Sequence, residues 1–391
     1  MKNIIDYVKK YGEKTFSELP FTEVDSLVLS QLSYLKFDKV IPYDTDICLK
    51  DLKKSPKLDT LFAYKPYEKN NRQLFSLAAK SPRFSELLIR DYVNITEKER
   101  EIQFSAMVFK LSEDLAYMAF RGTDDSIIGW HEDFNMAYKS PVPAQLYSVS
   151  YLNNFASKSS EALYIGGHSK GGNLAIYSCA KCLSEYQPRI RRIYSHDGPG
   201  FKAGIITQQE MSVIEKKIRK SVPQSSIVGM LMQTQGEYDV VDCRSLGIAQ
   251  HNPYNWKISG HRFKKQSNIH RHTEIQNESL NLWLGGMTEE ETGVFVETLF
   301  ETLEQADLNS LSQLSEDFTG VLKRIRTATE NMSAEKKMIM ERFLRELVKI
   351  NTDMGKNSLK NGLKQTFNTG GLTDALIRLR DELNGTPEER Q

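Results

Sequence analysis

Ser169 stands between Gly167 and Gly171 in the run Leu163-Tyr164-Ile165-Gly166-Gly167-His168-Ser169-Lys170-Gly171-Gly172-Asn173-Leu174-Ala175. Leu163 to Ile165 is a short apolar, β-favouring segment, and the residues from Asn173 through Ala180 read as helix. The serine therefore falls where a strand turns sharply into a helix. Glycines two residues to either side suit that turn, because a strained, exposed serine needs a close backbone approach that a Cβ would block. Gly166 and Gly172 add small residues that let the helix pack tightly on the sheet. The chemistry open to such a serine is nucleophilic, and serine is inert at neutral pH until a base takes its proton. Among the seven histidines, His168 adjoins the serine with its side chain expected to point away, and His196 falls on a strand-like run. His261, His270 and His272 follow in a polar stretch, the last two in a basic run that reads as surface. His251 lies in a loop beside Asn252, Pro253 and two aromatics, and is the candidate base.

These groups need a scaffold. Ile4, Tyr7, Val8 and Tyr11 repeat at helical spacing, and Gly12 closes the first helix. Thr22 with Asp25 resembles a capping box opening a helix with apolar side Val24, Leu27, Val28, Leu32 and Leu35. From Leu52 to Val93 the pattern is mixed and helical, broken by Pro56, Pro66 and Pro82, and predicts covering helices. Strands are expected to begin near residue 102, with Phe104 to Phe109 and Leu115 to Phe120 at hairpin spacing. The second run leads into Phe120-Arg121-Gly122-Thr123-Asp124-Asp125, followed by a short amphipathic segment with Ile127, Ile128, Trp130 and Phe134. A helix is expected over about 147–157, then the strand before Ser169, and then a further strand at Arg192 to His196 running into Asp197-Gly198-Pro199-Gly200. Strand, helix, strand around the serine is a βαβ unit and implies an α/β fold with a mostly parallel central sheet. A helix over 206–220 and a strand from about Ile218 to Met232 follow. After residue 285 only helical stripes remain: Val296, Leu299, Phe300 and Leu303; Phe318, Val321, Leu322 and Ile325; Met340, Phe343, Leu344 and Leu347. The expected division is residues 1–285 as the α/β domain and 286–391 as a helical C-terminal appendage, with a weak break over 355–371 and a frayed tail.

Lys and Arg total 52 against 51 Asp and Glu, a net charge of +1, so no basic field exists to recruit nucleic acid or anionic membrane. No stretch approaches the apolar length of a membrane span. Met1 to Tyr7 carries an acid and no continuous apolar core, so a signal peptide is not expected. Four cysteines do not make a disulfide scaffold. Cys179 and Cys182, one turn apart, read as packing residues without a zinc or redox partner at ligand spacing. A reducing cytoplasm fits that usage.

On Phe120-Arg121-Gly122-Thr123, Gly167-His168-Ser169-Lys170-Gly171 and Gln250-His251-Asn252-Pro253-Tyr254-Asn255-Trp256, the chain resembles the α/β-hydrolases. Within them it is similar to the class 3 lipases and to an uncharacterised bacterial family of lipase-like proteins, over about residues 20–285. That resemblance implies a serine hydrolase cleaving a small-molecule or lipid ester, or a thioester, through an acyl-enzyme, with no metal or cofactor required. Ser169 would be the nucleophile and His251 the general base. The residue matching Thr123 and the backbone N–H of Lys170 would hold the oxyanion. The acid departs from the class 3 pattern: it would fall within Ser225-Ser226-Ile227-Val228-Gly229, where no carboxylate exists. Pancreatic-type lipases carry theirs one strand earlier, in a sequence similar to Asp197-Gly198-Pro199-Gly200-Phe201, which makes Asp197 the choice, with Asp239 and Asp242 as runners-up. Asp124, Asp125 and Asp133 read as capping or orienting groups on the oxyanion side. The apolar bulk at Ile127, Ile128, Trp130 and Phe134 falls where class 3 lipases carry a lid or an acyl-groove entrance; the other reading of the segment is a short helix packed into the core. The missing carboxylate also leaves open a hydrolase fold without activity, serving as an interaction module.

Overall fold

A nine-stranded sheet organises the computed structural model, in the order β1 (Ile47–Cys48), β2 (Leu88–Glu97), β3 (Ile102–Lys110), β4 (Leu115–Phe120), β5 (Ala162–His168), β6 (Ile190–His196), β7 (Ile218–Pro223), β8 (Tyr238–Val241) and, after a small hairpin of β9 (Ile258–Ser259) and β10 (Arg262–Phe263), β11 (Lys265–Gln266). β4 to β8 run parallel, while β1 to β3 and β11 attach antiparallel at the two ends. The structure describes residues 2–306 apart from 42–44, 64–66, 125–126, 137, 234–235 and 246, together with 324, 327, 333, 336 and 337.

Strand alternation sorts the core into two layers. Met107, Phe109, Tyr117 and Ala119 face one side, in a cluster with α1 (Ile4–Tyr11), α2 (Glu23–Leu32) and α3 (Glu68–Ala78). Phe104, Ala106, Val108, Met118 and Phe120 face the other side, in a cluster with α5 (Pro143–Lys158) and α6 (Lys170–Lys181), which follow α4 (Ile127–Asn135). The Thr22–Asp25 capping box forms at the start of α2.

Residues 52–93 differ from expectation. Among the described residues they hold one α-helix, α3, with short 3-10 turns, and the stretch ends inside β2. That strand escapes a periodicity reading because its alternation is broken: Asp91 has φ +51° and the pairing with β3 shifts register between Arg90 and Val93. The strand expected from Ile218 to Met232 ends at Pro223, and the helix before it, α7, covers only Gln208–Ile214. After α8 (Arg271–Gly285) the chain divides into two units, Met1–Leu284 and Gly285–Gln391. In the second, α9 (Glu289–Gln305) opens on a Thr288–Glu291 capping box and buries Val296, Leu299, Phe300 and Leu303. The stripes expected around 318–325 and 340–347, the break over 355–371 and the tail lie outside the described residues, single positions such as Arg324 excepted. No helix among the described residues is long and apolar enough to cross a membrane.

Candidate active site

Ser169 ends β5 and precedes α6 with φ +59° and ψ −134°, a region that costs a residue other than glycine about 1–3 kcal/mol. Its surroundings impose that geometry. The Ser169 N–H donates to the His196 carbonyl at 2.9 Å, and its carbonyl accepts from Gly172 N–H at 2.8 Å. A Cβ on Gly167 would lie 2.3 Å from the Gly171 carbonyl carbon, and one on Gly171 would lie 2.1 Å from the Phe120 oxygen. The flanking glycines are thus what lets α6 start this close to the ends of β4 and β5.

One strand further along, Asp197 also has positive φ, +53°. Its side chain is fully buried, and Oδ2 accepts a hydrogen bond from His251 Nδ1 at 2.6 Å. Oδ1 accepts from Ser226 Oγ at 2.5 Å and from the Gly229 N–H at 3.1 Å. The segment that lacks an acid of its own, Ser225 to Gly229, therefore supplies donors to the acid on the preceding strand. Donation from Nδ1 leaves His251 Nε2 as the basic nitrogen. The runners-up are elsewhere. Asp239 pairs with Lys265 at 2.8 Å, and Asp242 with Lys257 at 2.7 Å and Lys264 at 2.9 Å.

His168 turns from the serine, as expected, but has a task that the sequence reading missed. Its Nε2 donates to the His251 carbonyl at 2.9 Å, its ring lies 4.6 Å from that of His251, and its Nδ1 faces the Tyr34 hydroxyl at 3.3 Å. Burial, with the neighbouring His251 adding to it, pushes His168 well below the usual histidine range, so the ring is neutral and keeps one donor and one acceptor. His196, also buried, is pushed down to about 3 and bonds Ser26 Oγ at 2.9 Å. His270 is exposed, while the side chain of His272 is outside the described residues. Ser169 and His251 are 82 positions apart in sequence, and His168, next to the first, is hydrogen-bonded to the carbonyl of the second. Among the described residues no hydrogen bond joins Ser169 Oγ to His251.

On the opposite side, Thr123 is nearly buried and its hydroxyl donates to Asp133 Oδ2. Lys170 directs its side chain inward, with Nζ 2.8 Å from Glu132 Oε2, 3.0 Å from the Gln103 carbonyl and 3.7 Å from Asp133 Oδ1. Burial works against the Lys170 ammonium, but Glu132 and Asp133 outweigh it and raise its pKa. Burial pushes Asp133 up to about 6, against the attraction of Lys170. Asp124 pairs with Lys36 at 3.0 Å, and Asp125 lies outside the described residues. Sequence reasoning passed over Glu132 and the Lys170 side chain. The available signal was the lysine itself, placed where α6 begins among glycines and apolar residues.

A family model described as Mbeg1-like matches residues 78–301, which include Thr123, Glu132, Asp133, His168, Ser169, Lys170, Asp197 and His251. The chain belongs to the Mbeg1-like family. Among solved structures it is similar to M37 lipase, at 16% identity over 54% of this chain and 70% of that one, with a TM-score of 0.34. It is also similar to the Rhizomucor miehei lipase propeptide complex, at 20% identity over 56% and 67% with a TM-score of 0.34, and to Lip2 lipase from Yarrowia lipolytica, at 10% over 65% and 91% with the same score. Comparison with curated proteins gives no match.

Proposed function

We propose that this Mbeg1-like chain is a serine hydrolase that cleaves a carboxylic ester or thioester through an acyl-enzyme. The observation that carries the reading is the 2.6 Å hydrogen bond from His251 Nδ1 to a fully buried Asp197, held beside a serine in the elbow conformation. Ser169 Oγ attacks the acyl carbon while His251 Nε2 takes its proton. The tetrahedral oxyanion is held by the Lys170 N–H at the start of α6 and by Thr123. Collapse expels the alcohol or thiol, which takes the proton from His251, and water then repeats the sequence on the acyl-enzyme. Asp197 holds the imidazole in its working tautomer.

Labelling with a fluorophosphonate probe tests this. The native chain is expected to label, and Ser169→Ala is not, with nearly unchanged thermal unfolding: Ser169 is buried rather than exposed as its motif suggested, but the substitution removes a single hydroxyl and keeps the Cβ. Equal labelling of both would remove Ser169 as nucleophile. No labelling of either, with Asp197 and His251 intact, would favour a hydrolase fold used for interaction.

A further inference from the structure

The segment just after Thr123 is where a movable cover would be expected, yet α4 turns a buried carboxylate, bonded through both oxygens, toward the protein. Glu132 is fully buried. Its Oε1 accepts from the Ala144 N–H at 2.8 Å, and its Oε2 accepts from the Gln103 N–H at 3.2 Å and from Lys170 Nζ at 2.8 Å. One carboxylate thus joins α4 to the start of β3, the start of α5 and the first residue of α6. A turn earlier, a Cβ on Gly129 would lie 2.4 Å from Gln103 Oε1 and 2.7 Å from Thr123 Cγ2, so the α4 backbone sits directly on the oxyanion loop. At the far end Asn135 Nδ2 donates to Glu101 Oε2 at 2.8 Å.

A cover that opens at a lipid surface needs an apolar underside, which leaves an acyl groove and enters the interface at little cost. Lifting α4 would instead separate Lys170 from both of its carboxylates and strand the Gln103 and Ala144 N–H groups, and an unpaired buried charge is strongly unfavourable. Among the described residues, none of the exposed large apolar side chains lies on α4 or in the His251 loop; Trp130 and Phe134 are half-buried, and the side chains of Ile127 and Ile128 lie outside the described residues.

We propose that the Lys170–Glu132 ion pair bolts α4 to the nucleophile elbow, making it a fixed wall of the site, and that the acyl substrates are single dissolved molecules rather than lipids in an aggregated surface. The substrate half of this rests on the ester-hydrolase reading; the bolt does not.

Two measurements on the full chain test it. The first follows the rate of tributyrin hydrolysis across the solubility limit of the ester. The native chain is expected to saturate smoothly, whereas Lys170→Met combined with Glu132→Gln, which removes both charges and keeps an acceptor for one of the two backbone N–H groups, is expected to gain a rise of roughly tenfold at the limit as α4 becomes free to open. A rise in the native chain overturns the proposal, and so does a flat profile in both. The second is hydrogen exchange of residues 127–135 with and without phosphatidylcholine vesicles. Native α4 should be protected like α6 in both conditions, and the double variant should lose protection when vesicles are added. Fast exchange in the native chain, or loss of its protection on vesicles, overturns the bolt. Exchange needs no turnover, so a chain that hydrolyses no ester would sink the hydrolase reading while the exchange data still decide the bolt.

Discussion

The two sides of Ser169 use buried carboxylates in opposite ways. At Asp197 one carboxylate takes three donors, from the Ser226 hydroxyl, the Gly229 N–H and His251 Nδ1. At Thr123 two carboxylates, Glu132 and Asp133, share one ammonium, with Asp133 Oδ1 3.7 Å from Lys170 Nζ. The first arrangement is complete without a cation and is suited to stabilising an imidazolium as it forms. The second balances fixed charges against burial, which suits holding a loop and a helix in place. The contrast implies that equivalent substitutions will report on chemistry on one side and on structure on the other.

The largest effect is expected from Asp197→Asn. The amide oxygen can still accept from Ser226 and Gly229, but its NH₂ then faces His251 and favours the wrong tautomer, so ester turnover should fall by about 10⁴ with little loss of stability. Asp239→Asn and Asp242→Asn should leave turnover nearly unchanged, since their ion pairs are with Lys265, Lys257 and Lys264. If either of these proved the crippling change, Asp197 would not be the acid.

How much of this was legible in the sequence depends on whether the cause is local. The elbow is written in adjacent glycines, because Gly167 and Gly171 relieve clashes among their own neighbours and the end of β4. The βαβ unit around it follows from short apolar runs. Asp197 is chosen by its place at a strand end together with the resemblance of Asp197-Gly198-Pro199-Gly200-Phe201 to pancreatic-type lipases, but the donors that satisfy it come from the turn after β7, 29 and 32 positions away, and nothing in Ser225 to Gly229 announces that. The Lys170–Glu132 pair spans 38 positions and reads locally as a polar residue on an amphipathic segment. β2 was hidden by its own irregularity at Asp91.

A smaller effect, on stability, is expected on the oxyanion side. Lys170→Met leaves Glu132 buried without its cation and should cost about 3–5 kcal/mol in urea unfolding. Adding Glu132→Gln should recover a good part of that loss. If the double variant were as unstable as the sum of the two singles, the residues would not act as a pair, and the picture of a balanced ionic cluster behind Thr123 would have to be dropped.

The smallest effect is the most diagnostic, because it has a sign. Burial pushes the Asp133 carboxyl up to about 6, with Lys170 and the Thr123 hydroxyl offsetting part of it. Between the ordinary carboxylate range, about 4, and that value, the folded chain keeps a proton that the unfolded chain has released, so stability falls as pH rises through this window. The loss is at most about 3 kcal/mol by the usual conversion, and less to the extent that solvent reaches a side chain that is 16% exposed. His168 and His196 pull the other way. Burial keeps both neutral in the fold, so the unfolded chain takes up protons first and stability falls as pH drops below about 6.5. In the native Tm profile these trends overlap. Comparing Asp133→Asn with the native chain cancels the histidines: the variant should match the native chain near pH 4 and gain on it steadily toward pH 7. Its amide oxygen can still accept from Thr123, so turnover should fall far less than for Asp197→Asn. A Tm difference that does not change with pH would mean that Asp133 does not titrate in this range and that its role is only to hold Thr123.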